Sequence, residues 1–176
     1  MCLLVARKSG SAWLPSKDQF DNAWARNADG VGVAWAEGGK VEVVKSLDKS
    51  KAWQAVQSIP SGAPALMHWR MGTAGSVRAG NCHPFPCLRS GWVAAHNGVL
   101  PVRAIGDLTD SESYLRSLSG RRPDVAGISA WLRKVSGGKI AFLSKLGELV
   151  IANAEAGSWT NGGEVWESNT SLHDSG

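Results

Sequence analysis

Cysteine stands second in the chain, in the run Met1-Cys2-Leu3-Leu4-Val5-Ala6. With Met1 removed, Cys2 becomes the N-terminus, and one residue then carries both a nucleophile and a base. Its thiol can attack a carbonyl, and its free α-amine can take the thiol proton. An isolated α-amine titrates near ~8 and a cysteine thiol near ~8.5, so neither needs much tuning at neutral pH. The plainer reading is a buried cysteine at the start of a first strand.

Three further clusters have side chains suited to chemistry. The first is His68-Trp69-Arg70-Met71-Gly72-Thr73-Ala74-Gly75, followed by Asn81-Cys82-His83-Pro84-Phe85. The second is His96-Asn97-Gly98, and the third is Thr109-Asp110-Ser111-Glu112. Taken singly, each has a plain explanation. Asn-Gly is a common turn, Arg70 is a surface charge, and Asp110 is a helix N-cap. His68 and His96 are then core histidines with satisfied ring nitrogens.

Taken together and in this order, they resemble the class II glutamine amidotransferases of the N-terminal nucleophile hydrolase superfamily. The family pattern is an N-terminal Cys, then H-x-R-x-x-T-x-G, N-x-H-P-F, H-N-G and S/T-D-x-E. The chain presents all five in sequence. The opening Met-Cys-Leu-Leu and the Asn-Cys-His-Pro-Phe block lean toward the small stand-alone branch, which includes hydrolases of γ-glutamyl amides. Gly147 and the Glu167-Ser168-Asn169 stretch resemble the closing strands more weakly.

The resemblance implies a role for each matched residue. Cys2 is the nucleophile that attacks the side-chain amide of glutamine, forms a γ-glutamyl thioester and releases ammonia. Its α-amine is the general base and later the acid. The Asn97 side-chain amide and the Gly98 N–H form the oxyanion hole. Arg70 clamps the substrate α-carboxylate through two parallel hydrogen bonds, and Thr73 adds a hydroxyl. Asp110 holds the α-ammonium, and Glu112 is structural. His83-Pro84-Phe85 shapes the loop beside the pocket, and no histidine serves as the base. Two positions depart from the family pattern: Ala74 replaces a frequent His, and Met71 a frequent aromatic residue. Both bear on substrate breadth.

These residues must be positioned by a fold, and the bulk numbers allow one. At 176 residues, with 43% hydrophobic and 19% charged, the chain has the composition of a globular protein, expected to form one domain over residues 1–176. Apolar strand segments are Cys2–Ala6, Val31–Ala36, Lys40–Lys45, Ala63–Trp69, Gly91–His96, Ile140–Ser144, Glu148–Asn153 and Glu164–Ser168. Gly38-Gly39 makes a hairpin turn, as do Lys145 to Gly147. Ser16 with Gln19 is a capping box, after which Phe20, Ala23 and Trp24 share a helical face. Further helices are expected at Asp48–Ser58, Ser111–Ser119 and Asp124–Val135, with a long loop over residues 71–90 and a frayed tail after Asn169. Strands do not alternate regularly with helices, which argues against a doubly wound parallel sheet. Two packed, mostly antiparallel sheets covered by helices remain. With the family resemblance this is an α+β, four-layer αββα sandwich of the N-terminal nucleophile hydrolase type.

The net charge of +4 is scattered rather than striped, which argues against nucleic acid. No apolar run approaches membrane-spanning length, and no basic-then-apolar leader opens the chain. The odd cysteine count, three, fits a reduced compartment and a cytoplasmic protein better than a disulfide framework. Cys82, His83 and Cys87 invite a metal site completed by His68 or His96, but no paired C-x-x-C supports it. No cofactor is expected.

Too few residues follow Asp110 for a second synthase domain. The expected function is therefore a glutaminase that passes ammonia to a separate synthase. The alternative is a stand-alone γ-glutamyl amide hydrolase acting on a small-molecule conjugate. A third reading, from another class, is a catalytically inactive binding module.

Overall fold

In the first strand, side chains alternate between two buried faces, and this alternation organises the molecule. A computed structural model describes residues 1–72, 76–89 and 91–173. In β1 (Leu3–Arg7), Leu3 and Val5 face one hydrophobic layer while Leu4 and Ala6 face another. A strand buried on both faces reads as a continuous apolar run, which is the pattern of Leu3 to Ala6.

The first layer contains α1 (Lys17–Arg26) and α2 (Lys49–Gln57), which place Phe20, Ala23, Ala52, Ala55 and Val56 against the sheet. The capping box forms as expected: Ser16 Oγ accepts from the Gln19 N–H, and Gln19 Oε1 accepts from the Ser16 N–H. Asp48 caps α2 by accepting from the Lys51 N–H at 2.8 Å.

The first sheet has six strands in the order β3-β2-β4-β1-β10-β9. These are β2 (Val31–Glu37), β3 (Lys40–Ser46), β4 (Ala65–Trp69), β9 (Ser158–Thr160) and β10 (Val165–Glu167) with β1. The second sheet has four strands in the order β5-β6-β7-β8. They are β5 (Phe85–Cys87), β6 (Trp92–Asn97), β7 (Lys139–Ser144) and β8 (Leu149–Ala152). All of these strand pairs are antiparallel.

Leu4, Ala6, Ala34, Leu66 and Trp166 of the first sheet meet Val93, Ala95, Ala141 and Leu143 of the second. The outer face of the second sheet packs on α3 (Asp110–Ser117) and α4 (Val125–Val135) through Leu115, Ile128 and Leu132. The result is four layers, helix–sheet–sheet–helix, the α+β αββα sandwich expected from the sequence.

Three details differ from the sequence reading. Residues 71–90 are not loop throughout: Phe85–Cys87 forms β5, with Phe85 opposite Ala94, and a 3₁₀ turn covers Ala79–Asn81. Three residues centred on a proline are too few for an alternation signal. The strand β9 is missed for the same reason. The tail beyond Asn169 is not frayed as far as residue 173. Leu172 is fully buried on the first core, and His173 Nε2 lies 2.8 Å from Glu167. The common turn Asn97-Gly98 ends β6 without folding it back on β7, because α3 and α4 come between the two strands.

Candidate active site

Strand register and alternation bring the candidate residues to one end of the layer between the sheets. On β1 the inward parity of Leu4 and Ala6 extends back to Cys2. On β6 the parity of Val93 and Ala95 extends to Asn97, and on β10 that of Trp166 extends to Ser168. The pairing of Leu3 with Trp69 sets Cys2 beside the residues that follow β4. There the Met71 N–H donates to Cys2 Sγ at 3.2 Å, and the thiol donates to the Met71 carbonyl at 3.4 Å. The amino group of Met1, which precedes Cys2, lies 3.2 Å from the Met71 sulfur.

Asn97 reaches across from the second sheet. Its Nδ2 donates to the Cys2 carbonyl at 2.7 Å and to Ser168 Oγ at 2.6 Å. Its Oδ1 is buried and has no hydrogen-bond partner among the described residues. The Cys2 carbonyl also accepts from Asn169 Nδ2 at 2.8 Å. Ser168 ties this group back to β1. Its Oγ accepts from the Leu4 N–H, and its own N–H donates to the Leu4 carbonyl, both at 2.9 Å.

Gly98 is exposed and adopts φ +138°, a conformation that favours glycine. A Cβ there would also meet Gly138 Cα at 2.9 Å and His96 Nε2 at 3.1 Å. The residue is therefore wedged from behind with its front open.

Arg70 is buried, at 4% exposure, although the sequence also allowed a surface charge. Its N–H donates to the Gly30 carbonyl at 2.8 Å, and its carbonyl accepts from the Asp29 N–H at 3.1 Å. Asp29 Oδ2 accepts from the Gly72 N–H at 2.6 Å. A Cβ on Gly72 would sit 3.2 Å from that carboxylate and 3.3 Å from both terminal nitrogens of Arg70, so the two charged groups flank Gly72. Thr73 and Ala74 lie outside the described residues.

Asp110 is not the N-cap of α3. Thr109 holds that position and accepts from the Glu112 N–H at 3.1 Å. Asp110 is half-buried, accepting from the Leu100 N–H at 3.3 Å and the Ser111 hydroxyl at 3.4 Å. Glu112 is buried and paired with Arg116 at 2.8 Å, consistent with a structural role.

Three histidines lie beneath this region. The His68 ring, fully buried, contacts the His96 carbonyl through Nε2 at 3.1 Å, which sets that nitrogen as the protonated one. His96 Nδ1 meets Ser111 Oγ at 2.9 Å. The His83 ring packs against His68 with centroids 4.2 Å apart. It is placed by β2, because a Cβ on Gly32 would lie 1.7 Å from the His83 carbonyl oxygen. Only glycine permits so close an approach. Burial lowers the pKa of His68 to about 3 and that of His96 to about 4, and pushes His83 well below its ordinary value. All three are neutral at pH 7, and rings held this far down are poor proton acceptors. His68 and His96 are thus only half satisfied by the described residues, with His68 Nδ1 and His96 Nε2 left over.

Burial raises the Cys82 thiol, and the Cys87 thiol to about 12, so both stay protonated and are poor metal ligands. Among the described residues no group of three or more His, Cys, Asp or Glu side chains is arranged to hold a metal ion. Among the same residues, no helix is long and apolar enough to cross a membrane.

Sequence reasoning missed Met71, Ser168 and Asn169 as neighbours of Cys2. For Ser168 a signal existed, since it shares the inward parity of Trp166 on the last strand. Met71 acts through its backbone and leaves no side-chain trace.

The profile of the family "Glutamine amidotransferases class-II" matches residues 17–118, more than half of the chain. The chain belongs to the class II glutamine amidotransferases. The matched stretch holds Arg70, Asn97, Gly98 and Asp110 but begins after Cys2. This amidotransferase resembles several solved structures in fold. One is a glutamine aminotransferase class-II domain protein from Silicibacter pomeroyi. It has 17% identity and a TM-score of 0.52, with 94% of this chain and 87% of that one covered. A second is the glutamine phosphoribosylpyrophosphate amidotransferase from B. subtilis, solved with ADP and GMP. It has 16% identity and a TM-score of 0.64, with 98% of this chain and 42% of that one covered. A third, described as the allosteric regulatory enzyme of purine biosynthesis, has 18% identity and a TM-score of 0.60, with the same coverage. The amidotransferase chain thus spans about two-fifths of the length of the latter two. No curated protein sequence matches it.

Proposed function

We propose that this amidotransferase acts as one glutaminase domain over residues 1–176, hydrolysing the side-chain amide of glutamine to glutamate and ammonia, with the ammonia used by a separate synthase. Removal of Met1 converts the Cys2 amide nitrogen into an amine, which takes the thiol proton. The sulfur adds to the amide carbonyl, and the oxyanion is held by the Asn97 amide and the Gly98 N–H. Collapse forms the γ-glutamyl thioester, and the Cys2 ammonium returns its proton to the departing ammonia. Water then adds to the thioester with the same amine as base, releasing glutamate and regenerating the thiol.

Arg70 binds the α-carboxylate of the substrate with help from Thr73, and Asp110 binds the α-ammonium. Opposite charges at the two ends of the head group select a free γ-glutamyl group over a protein side chain. The observation that carries this reading is the meeting of Cys2 with Asn97 from the opposite sheet, beside Arg70. Nothing in the mechanism calls for a cofactor.

The test is ammonia release from glutamine by protein shown to begin at Cys2, compared with Cys2→Ala and with protein that retains Met1. Both comparison forms are expected to fall below roughly 1% of the processed protein. Residual activity above that in Cys2→Ala points to another nucleophile. Turnover on a γ-glutamyl conjugate but not on glutamine would replace the glutaminase reading with that of a small-molecule amide hydrolase. A large rise in glutamine turnover on adding a synthase would identify the ammonia acceptor.

A further inference from the structure

We propose that Asn169 is a positioning residue that frees Asn97 to serve the oxyanion. The inference rests on the function proposed above, because it concerns how the Asn97 amide becomes available to substrate. A side-chain amide nitrogen has two protons to give. Asn97 Nδ2 gives one to the Cys2 carbonyl at 2.7 Å and the other to Ser168 Oγ at 2.6 Å. Both are engaged, so an oxyanion can be served only if one of these bonds is released.

Both acceptors keep a second donor when Asn97 lets go, and for Ser168 Oγ it is the Leu4 N–H at 2.9 Å. The Cys2 carbonyl holds a second donor of the same kind, Asn169 Nδ2 at 2.8 Å. Released by Asn97, it stays hydrogen-bonded and avoids the penalty of a stranded buried acceptor. Asn169 is itself fixed, because its Oδ1 accepts from the Ser171 N–H at 3.1 Å. The neighbouring Ser168 is locked to β1 through Leu4. One proton of Asn97 already points at the residue that carries the attacking sulfur, so the bond to the Cys2 carbonyl is the one exchanged, and the bond to Ser168 is the anchor about which the amide turns. Asn169 keeps the Cys2 carbonyl hydrogen-bonded while Asn97 turns, and it acts on the reaction through Asn97 alone.

The experiment is a double-mutant cycle on protein processed to Cys2, using Asn169→Ala, Asn97→Ala and the pair. Asn169→Ala is expected to lower kcat on the order of tenfold, the effect of one hydrogen bond, and to leave KM within about twofold. In the Asn97→Ala background the same change is expected to have no further effect on kcat, because the bond it helps to release is gone. Equal fold-losses in both backgrounds, or no loss in either, would overturn the proposal.

A second readout does not depend on turnover. With the Cys2 carbonyl carbon labelled with ¹³C, Asn97→Ala is expected to keep a shift close to that of the parent, while the double variant moves away. If Asn97→Ala moves as far as the double variant, Asn169 does not hold the carbonyl and the proposal falls. Failure of the parent protein to hydrolyse glutamine counts against the proposed function, whereas the carbonyl shifts decide the two-amide arrangement separately.

Discussion

Replacing Asn97 by alanine separates its contribution to rate from its contribution to structure. Two hydrogen bonds disappear, those to the Cys2 carbonyl and to Ser168 Oγ. Neither acceptor is stranded, because Asn169 still donates to Cys2 and the Leu4 N–H still donates to Ser168. The stability loss is therefore about 1–3 kcal/mol, the sum of two ordinary bonds. For a domain of this size that lowers Tm by roughly 2–12 °C and leaves the protein folded at 25 °C. The rate loss is larger: removing one oxyanion donor lowers kcat by roughly 100- to 1,000-fold. KM is expected to change little, because the bond forms only as charge develops on the substrate oxygen. Ammonia release from glutamine at 25 °C, with a thermal melt on the same sample, measures both. A kcat within about tenfold of the parent, in protein that melts cooperatively, would refute the oxyanion assignment.

Three other perturbations test separate parts of the site. Arg70→Lys keeps the charge but loses the two-pronged grip on a carboxylate, so KM for glutamine is expected to rise roughly 10- to 100-fold with a smaller change in kcat; steady-state kinetics would show the reverse split if Arg70 served the chemistry instead. Burial depresses the folded-state pKa of His68, His83 and His96 below their unfolded value of 6.5, so their contribution is present above that pH and is lost as pH falls toward about 4 for His96 and about 3 for His68. By pH 5.5 the loss is on the order of 1 kcal/mol per histidine, roughly 3 kcal/mol for the three, and denaturant melts at pH 7.5 and 5.5 measure it; equal stabilities would contradict the buried, neutral cluster. Gly32→Ala sets a Cβ against the His83 carbonyl, where no rotamer can relieve the clash, and is expected to destabilise by about 3 kcal/mol or more; a loss under about 1 kcal/mol would mean that β2 and residue 83 are not in contact.

Much of the fold was legible because its signals are local. Leu3 to Ala6 reads as a doubly buried strand, Gly38-Gly39 as a hairpin turn, and Ser16 with Gln19 as a helix start, and each forms. The cap of α3 was misplaced by one residue because Thr109 and Asp110 are both competent caps, and only the backbone decides between them. The strands β5 and β9 escaped notice because three residues carry no period. Leu172 looked like part of a loose tail because its burial depends on α1 and the strands around it. At the site, ordered motifs singled out Cys2, Arg70, Asn97, Gly98 and Asp110, and the structure brings Cys2, Arg70 and Asn97 to one end of the inter-sheet layer. What the motifs lacked was the closing strand. Ser168 and Asn169 meet Cys2 only through the pairing of β10 with β1, a contact between the two ends of the chain.

Mass analysis of the purified protein after exposure to a glutamine-like diazo-ketone puts the nucleophile itself to the test. The expected spectrum shows a chain that begins at Cys2 and carries one adduct, mapped by peptide digestion to that residue. Cys82 and Cys87, buried with raised thiol pKa values, serve as internal controls and stay unmodified. An adduct on either of them, or none on a chain that begins at Cys2, would be incompatible with an N-terminal sulfur as the attacking atom.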